Sequence, residues 1–385
     1  MKKWSFSTSA IHAGETGKKI EGAVTLPIFQ SSTYLYGGQS SYGELKYLRL
    51  NNTPNHNSLC QKIAALEEGE AAIVTASGMA AVSDSLMAVL QQGDHMLAQN
   101  CIYGGSRDLL SRELPRHGIE ADFVESLARK DLEAGMQANT RALLVESITN
   151  PLMQIDDLVQ AAEFAREKGI VCLIDNTFPS PFNFQPLKIG YDMVIHSCSK
   201  YLNGHTDLVA GAVVGSSEMI EKVNRRNIHF GATLDPHTCF LLNRGLKTLP
   251  LRMRQHNSNA AALAEFFAGH PKVARVHYAG LHGSGGNART RKLFNGFGGM
   301  LSIELKGGKK ETEGLIRGLQ IPANAPSLGG VESLITIPAR TSHAGLSPEE
   351  RQRMGISDNL VRISVGIEGI EDLLDDFEQA LQQID

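Results

Sequence analysis

Between residues 71 and 215 the chain repeats one pattern: a short run of mostly apolar residues, then a stretch with helical spacing. Ala72-Ile73-Val74, His95-Met96-Leu97-Ala98, 141–146, 170–174 and Met193-Val194-Ile195 are such runs, and helices are expected over 80–90, near 107–114 and over 157–168. A strand with one wet face alternates, whereas a strand that is apolar throughout must be covered on both faces. Strands separated by helices and covered on both faces imply an α/β class with a parallel sheet. Ligands in such sheets collect beyond the carboxyl ends of the strands. Three polar features fall there: Ser77-Gly78-Met79, Asp175, and the turn Ser197-Cys198-Ser199-Lys200, which a second buried strand over 208–214 follows.

At 385 residues the chain suits two or three domains. Residues 1–55 mix turns with short extended pieces, so they cannot bury much alone and are expected to lie against another surface. A large domain is expected over 56–240, opening with a helix at 57–66 that stops at Gly69. Residues 241–385 read as a bridging helix over 241–267, interrupted at Pro250, and a smaller C-terminal domain. Its strands are expected at 273–276, 299–305 and 360–365, with a closing amphipathic helix over 370–384.

Hydrophobic residues make up 42% and charged residues 20%, enough for a sizeable core. A net charge of −4 without a basic run argues against nucleic acid and anionic membrane surfaces. Met1-Lys2-Lys3-Trp4-Ser5 lacks an apolar leader and no stretch would span a bilayer, so the expected location is cytoplasmic, with no membrane partner. The five cysteines are scattered and odd in number, as expected of reduced thiols. The thirteen histidines form no clustered ligand pattern, so no metal is assigned.

Each candidate residue has a plain and a chemical reading. Lys200 either caps a strand at the surface or sits in low dielectric, where its amine is kept neutral and can bond to a carbonyl such as that of pyridoxal phosphate. Asp175 either caps the following turn or holds a ring nitrogen protonated. Ser77-Gly78-Met79 is either a Ser-capped helix start or an anion site, to which Ser197 and Ser199 would add hydroxyls. Tyr103 either packs in the core or stacks on a flat ring. Arg362, inside an apolar strand, points either to solvent or inward to clamp a carboxylate. Gly283-Ser284-Gly285-Gly286 has neither the spacing nor the preceding strand of a dinucleotide site.

Taken together these stretches resemble the Cys/Met-metabolism family of pyridoxal-phosphate enzymes: cystathionine lyases and synthases, methionine γ-lyase and homoserine sulfhydrylases. The likeness runs over nearly the whole chain. Its motifs are Ala76-Ser77-Gly78-Met79-Ala80, Tyr103-Gly104-Gly105, Glu146-Ser147-Ile148-Thr149-Asn150-Pro151, Asp175-Asn176-Thr177-Phe178, residues 192–205 around Lys200, 327–333 and 360–366. The resemblance implies an aspartate-aminotransferase-like fold (fold type I) with pyridoxal 5'-phosphate as cofactor. Lys200 would bond the cofactor and move protons, Asp175 would pair with the pyridine nitrogen, and Tyr103 would stack on the ring and act as partner acid or base. Gly78, Met79, Ser197 and Ser199 would hold the phosphate, completed by Tyr47 and Arg49 of a neighbouring subunit. Arg362 and Ser327, with Asn150 nearby, would take the substrate carboxylate. The expected assembly is a homo-oligomer, a dimer of dimers with shared sites, acting on a small sulfur amino acid.

The implied activity is a carbon–sulfur lyase of trans-sulfuration, with cystathionine β-elimination first. Its alternatives are γ-elimination, γ-replacement, methionine γ-lyase chemistry, or a cofactor-binding regulatory protein with little turnover. Departures from the family pattern bear on specificity. The family's Asn-Pro-Thr reads Asn52-Thr53-Pro54 here, and Pro326 stands where some γ-acting members carry glutamate. Cystathionine-handling members place an arginine where this chain has Asp108, so either Arg107 serves instead or the substrate differs.

Overall fold

The structure is a computed structural model that describes residues 4–15, 17, 19–281, 288–345 and 347–384; the glycine run at 283–286 and Met1-Lys2-Lys3 lie outside these. Its larger sheet has seven strands: β1 (Ala71–Thr75), β2 (His95–Gln99), β3 (Glu120–Val124), β4 (Thr140–Glu146), β5 (Val171–Asp175), β6 (Met193–Ser197) and β7 (Gly211–Gly215). Their order across the sheet is β1-β7-β6-β5-β4-β2-β3. Successive residues alternate between two cores. Val74, Leu143, Ile174 and Val194 pack on one face; Ile73, Leu144, Leu173 and Ile195 pack on the other. This two-sided burial is why the strands read as unbroken apolar runs.

The sheet is mainly parallel, as expected; the exception is β7, which runs antiparallel to both β1 and β6. A parallel return requires a crossover, usually a helix. Residues 198–210 carry none, so the chain turns back directly, and that turn holds Lys200. Gly211 opens β7 because a Cβ there would lie 2.2 Å from the Ser77 carbonyl oxygen.

Helices of the first half include α1 (Phe6–His12), α2 (Pro54–Glu67), α3 (Gly78–Val89) and α4 (Gly104–Asp108). The helix expected near 107–114 starts earlier, at Gly104, and passes through a wider turn over Leu109–Glu113. The two glycines therefore open a helix rather than line a loop. A Cβ on Gly104 would sit 2.7 Å from the Ser342 carbonyl oxygen, and one on Gly105 would sit 2.6 Å from the Tyr103 ring.

The stretch around Pro250 is two helices, Pro236–Leu246 and Leu249–Gly269. Pro250 stands in the first turn of the second, where a missing N–H costs nothing. The second sheet contains β8 (Val273–His277), β9 (Met300–Leu305), β10 (Ala323–Asn324), β11 (Leu334–Thr336) and β12 (Leu360–Ser364), ordered β10-β11-β12-β9-β8. Helices Lys309–Gly318 and Ile370–Gln382 cover one face of it through Leu315, Leu373 and Phe377. On the opposite face of β12 lie Arg362 and Ser364. Among the described residues no helix is long and apolar enough to cross a membrane.

Candidate active site

The carboxyl ends of β1, β4, β5 and β6 open into a cavity of about 770 Å³. Its wall includes Ser77, Gly78 and Met79 from the start of α3, Tyr103 before α4, Glu146, Asn150, Asp175, Ser197, Ser199 and Lys200. Ser327 and Arg362 close it from the second sheet's side. Ten of the twelve residues singled out from the sequence thus share one cavity. Tyr47 and Arg49 are not in it: Arg49 donates to the Ile228 carbonyl oxygen at 2.9 Å and to Tyr42 Oη at 2.5 Å, on the exposed surface.

Lys200 is partly buried and its Nζ donates to Ser327 Oγ at 2.7 Å. Burial, with the charge of Arg362 adding to it, lowers its pKa to about 8. A share on the order of a tenth of the amine is therefore neutral near pH 7, far more than for a free lysine, and that is the form that adds to a carbonyl. Ser327 adopts φ 100°, an uncommon backbone for a residue with a side chain.

Of the two readings of Arg362 the inward one holds. Its residue is 5% exposed, and the guanidinium donates to Asn150 Oδ1 at 3.1 Å and to the Ser327 carbonyl oxygen at 3.2 Å. Burial lowers its pKa only to about 10, so it stays charged. No carboxylate of this chain is paired with it among the described ion pairs, so its charge is left to meet one from outside. Behind it His343 is buried, and burial plus the Arg362 charge bring its pKa to about 4, which leaves it neutral.

Asp175 both caps its turn and faces the cavity: its Oδ1 accepts from the Thr177 N–H at 2.9 Å. Burial raises its pKa, so the anion gains from a cation set against it. Beside it in register is Glu146. The Tyr103 N–H donates to Glu146 Oε1 at 2.6 Å. Burial, then the neighbouring Asp175, pushes the Glu146 carboxyl well above the usual range, which favours its protonated form.

Ser77 is a helix cap whose Oγ accepts from the Ala80 N–H at 3.0 Å. The N–H groups of Gly78 and Met79 belong to the first turn and have no intrahelical acceptor. A Cβ on Gly78 would come within 2.8 Å of the Ser197 side chain. The bare glycine therefore leaves a cradle of amides and hydroxyls suited to an anion. An amine whose pKa burial lowers, a half-buried acid in the same cavity, and an anion cradle match the aldehyde, ring nitrogen and phosphate of pyridoxal phosphate.

The comparisons agree. The family described as "Cys/Met metabolism PLP-dependent enzyme" matches residues 7–382. The chain belongs to this family. An L-methionine γ-lyase from Fusobacterium nucleatum subsp. polymorphum is 40% identical over 394 residues, covering 100% of this chain and 99% of that protein. A cystathionine β-lyase from Coxiella burnetii is 41% identical, covering 99% of this chain and 98% of that one. The crystal structure of a cystathionine γ-synthase from Xanthomonas oryzae pv. oryzae superposes with a TM-score of 0.95 at 37% identity, covering 99% of both chains. Membership in the Cys/Met metabolism family establishes a PLP-dependent enzyme of fold type I acting on a small amino acid, in a group of trans-sulfuration lyases and their relatives.

Several side chains of the site had no assigned role in the sequence reading. Glu146 ends an apolar run in the same way as Asp175 and carried the same signal. Thr177 accepts the Ser197 N–H at 2.8 Å and so ties the Asp175 turn to the Lys200 turn. On the far face His196 meets Glu67 at 2.6 Å, and the Asn176 amide donates to the same carboxylate oxygen at 3.0 Å. Nothing in the spacing of Glu67 and His196 links them; only folding brings α2 beneath β6.

Proposed function

We propose that Lys200 is the covalent attachment point for pyridoxal phosphate and the base of the reaction, in a carbon–sulfur lyase for L-amino acids with sulfur in the side chain. The observation that carries this is the Lys200 amine, lowered to about 8, in one cavity with Asp175, the Gly78–Ser197 cradle and an Arg362 without a carboxylate partner. Asp175 pairs with the ring nitrogen. Gly78, Met79, Ser197 and Ser199 hold the phosphate, and Tyr103 lies over the ring. Arg362, braced by Asn150 and the Ser327 carbonyl, takes the substrate's α-carboxylate and thereby presents Cα to Lys200.

Bound pyridoxal phosphate withdraws electrons from the substrate's Cα. Lys200, held at Ser327 Oγ, would remove the proton on Cα. If sulfur sits on Cβ, that single proton transfer is enough for elimination. If it sits on Cγ, Lys200 must also move a proton from Cβ, and Tyr103 is the second acid or base within the cavity.

Tyr47 and Arg49 complete the phosphate site of a second copy. Their exposure in the single chain, outside the lining of its own cavity, supports this reading, and a dimer or dimer of dimers follows. In this reading 1–55 is the segment that reaches the neighbour, 56–240 holds the cofactor, and 241–385 closes over the substrate. The working location is the cytoplasm.

Product analysis tests the reaction. Pyruvate from a β-substituted sulfur amino acid means β-elimination, and 2-oxobutyrate from a γ-substituted one means γ-elimination. If neither forms unless an O-acylhomoserine and a thiol are supplied together, the lyase assignment is wrong.

A further inference from the structure

The reverse face of the strand ends carries a second polar group, outside the cavity. Glu67, the last residue of α2, meets His196 Nε2 at 2.6 Å through Oε1, and the Asn176 amide donates to the same oxygen at 3.0 Å. All three residues are 0% exposed within one copy, so a second copy adds no group to them. Side chains alternate along a strand. Ser197 therefore turns to the cavity while His196, one residue earlier, turns to α2. Asp175 likewise faces the cavity while Asn176, one residue later, reaches Glu67. The Asn176 N–H donates to the Ile195 carbonyl oxygen at 2.9 Å, and its side-chain amide also donates to the Phe184 carbonyl oxygen at 2.8 Å. One oxygen of Glu67 thus joins the neighbour of Asp175 to the neighbour of Ser197.

We infer that Glu67 is a positioning residue that fixes the spacing between Asp175 and Ser197, and so between the two ends of the cofactor's seat. This role rests on the proposed tasks of Asp175 at the ring nitrogen and Ser197 at the phosphate, and adds to them a residue that touches neither. Stability alone does not account for the buried pair, because taking an acid and an imidazole out of water offsets their attraction, and apolar side chains of similar volume would pack as well. What apolar packing does not supply is direction. Hydrogen bonds from two strand ends to one oxygen hold those ends in a single arrangement. In pyridoxal phosphate the ring nitrogen and the phosphate are joined through one ring and a short arm, so both anchors are met at once only where their separation suits. A seat whose two ends drifted apart would satisfy one anchor and lose the other.

The test compares pyridoxal phosphate with pyridoxal, which keeps the ring nitrogen and the aldehyde but lacks the phosphate. Both are titrated into the full-length protein freed of cofactor and followed by visible absorption. In Glu67→Leu the Kd for pyridoxal phosphate is expected to rise about tenfold while that for pyridoxal stays within about twofold, because only the larger ligand needs both anchors. Glu67→Gln keeps an oxygen for both donors, so its Kd for pyridoxal phosphate is expected to stay within about threefold of wild type. An unchanged Kd for pyridoxal phosphate in Glu67→Leu overturns the inference. Equal weakening of both ligands does the same, since it marks damage to the fold or to Asp175 and not to spacing. A Gln variant as weak as the Leu variant also overturns it. Should Glu67→Leu not fold, Asn176→Ala, which removes one arm alone, carries the same expectation and the same refutation. His95→Leu is the control: it removes a buried histidine that meets Thr140 Oγ1 at 2.8 Å on the opposite rim of the sheet. It is expected to leave the ratio of the two affinities unaltered, and a ratio that moves as far as in Glu67→Leu reduces the effect to stability and sinks the spacing role. Ser197→Ala separates this from the assignment beneath it. Pyridoxal phosphate bound as by wild type would remove Ser197 from the phosphate site, whereas weakened binding there beside a normal Glu67→Leu would remove Glu67 alone.

Discussion

The cavity wall and the N-terminal segment are two surfaces of one chain finished to different degrees. At the strand ends almost every polar group has a partner: Lys200 with Ser327, Asp175 with Thr177, Glu146 with Tyr103, Arg362 with Asn150. Along the segment before α2, Leu35 is 98% exposed and Val24 83% exposed, with Tyr36 and Tyr42 also outside. Among its described residues the extended pieces meet at the Thr33–Tyr47 bridge. The first surface has its own polar groups matched within a single copy, short of the phosphate contacts proposed for a second one; the second leaves apolar side chains uncovered by the described residues. The contrast teaches where the chemistry is self-sufficient and where it depends on assembly.

The largest expected effect falls on the first surface. Lys200→Ala should lower turnover by roughly a thousandfold or more, since both covalent attachment and proton transfer go through that amine. Circular dichroism should stay unchanged, and retention of a tenth of the activity would break the assignment. Next, Arg362→Ala should raise KM roughly a hundredfold by removing a charged donor pair, while the Kd for pyridoxal phosphate stays put. Equal loss of both would contradict a clamp for substrate alone.

The second surface gives a sharper test. Arg49→Ala should weaken cofactor binding about tenfold. Mixing Arg49→Ala with Lys200→Ala subunits should then restore about a quarter of wild-type activity, because a mixed pair holds one intact site. No recovery on mixing would place Arg49 in its own chain's site and remove the comparison's basis.

The smallest effect concerns Glu146. Burial favours the protonated form of its carboxyl, which accepts a hydrogen bond without needing charge. Glu146→Gln should therefore keep kcat within about threefold, whereas Glu146→Ala, which frees the Tyr103 N–H, should lower it about tenfold. A Gln variant as poor as the Ala variant would mean that the anion is the working form.

Much of this was legible in the sequence because burial leaves a linear trace. The unbroken apolar runs gave six of the seven strands of the larger sheet, and polar residues at the ends of several of them, Ser77, Asp175 and Ser197, marked the rim of the cavity. β3 escaped because it is an edge strand whose residues Glu120 and Asp122 alternate with apolar ones. The reversed direction of β7 escaped because an apolar run carries no sign of its sense. Arg362 could not be aimed from its neighbours: Val361 and Ile363 fill the C-terminal core, and only the packing of β12 against the larger domain decides what its other face meets. Tyr103-Gly104-Gly105 looked like a loop because its glycines are required by close packing, which depends on Ser342 far along the chain. Arg107 was readable as a candidate but not as a tethered one, since Asn100 and Phe123 approach it only in three dimensions.

The central claim is that the amine at position 200 joins the chain to its cofactor. Borohydride reduction of the holoenzyme, followed by proteolysis and peptide mass mapping, tests it directly. The account predicts one pyridoxyl-phosphate adduct, on the peptide containing Lys200, and none in Lys200→Ala. An adduct on another lysine, or undiminished labelling of that variant, would contradict it.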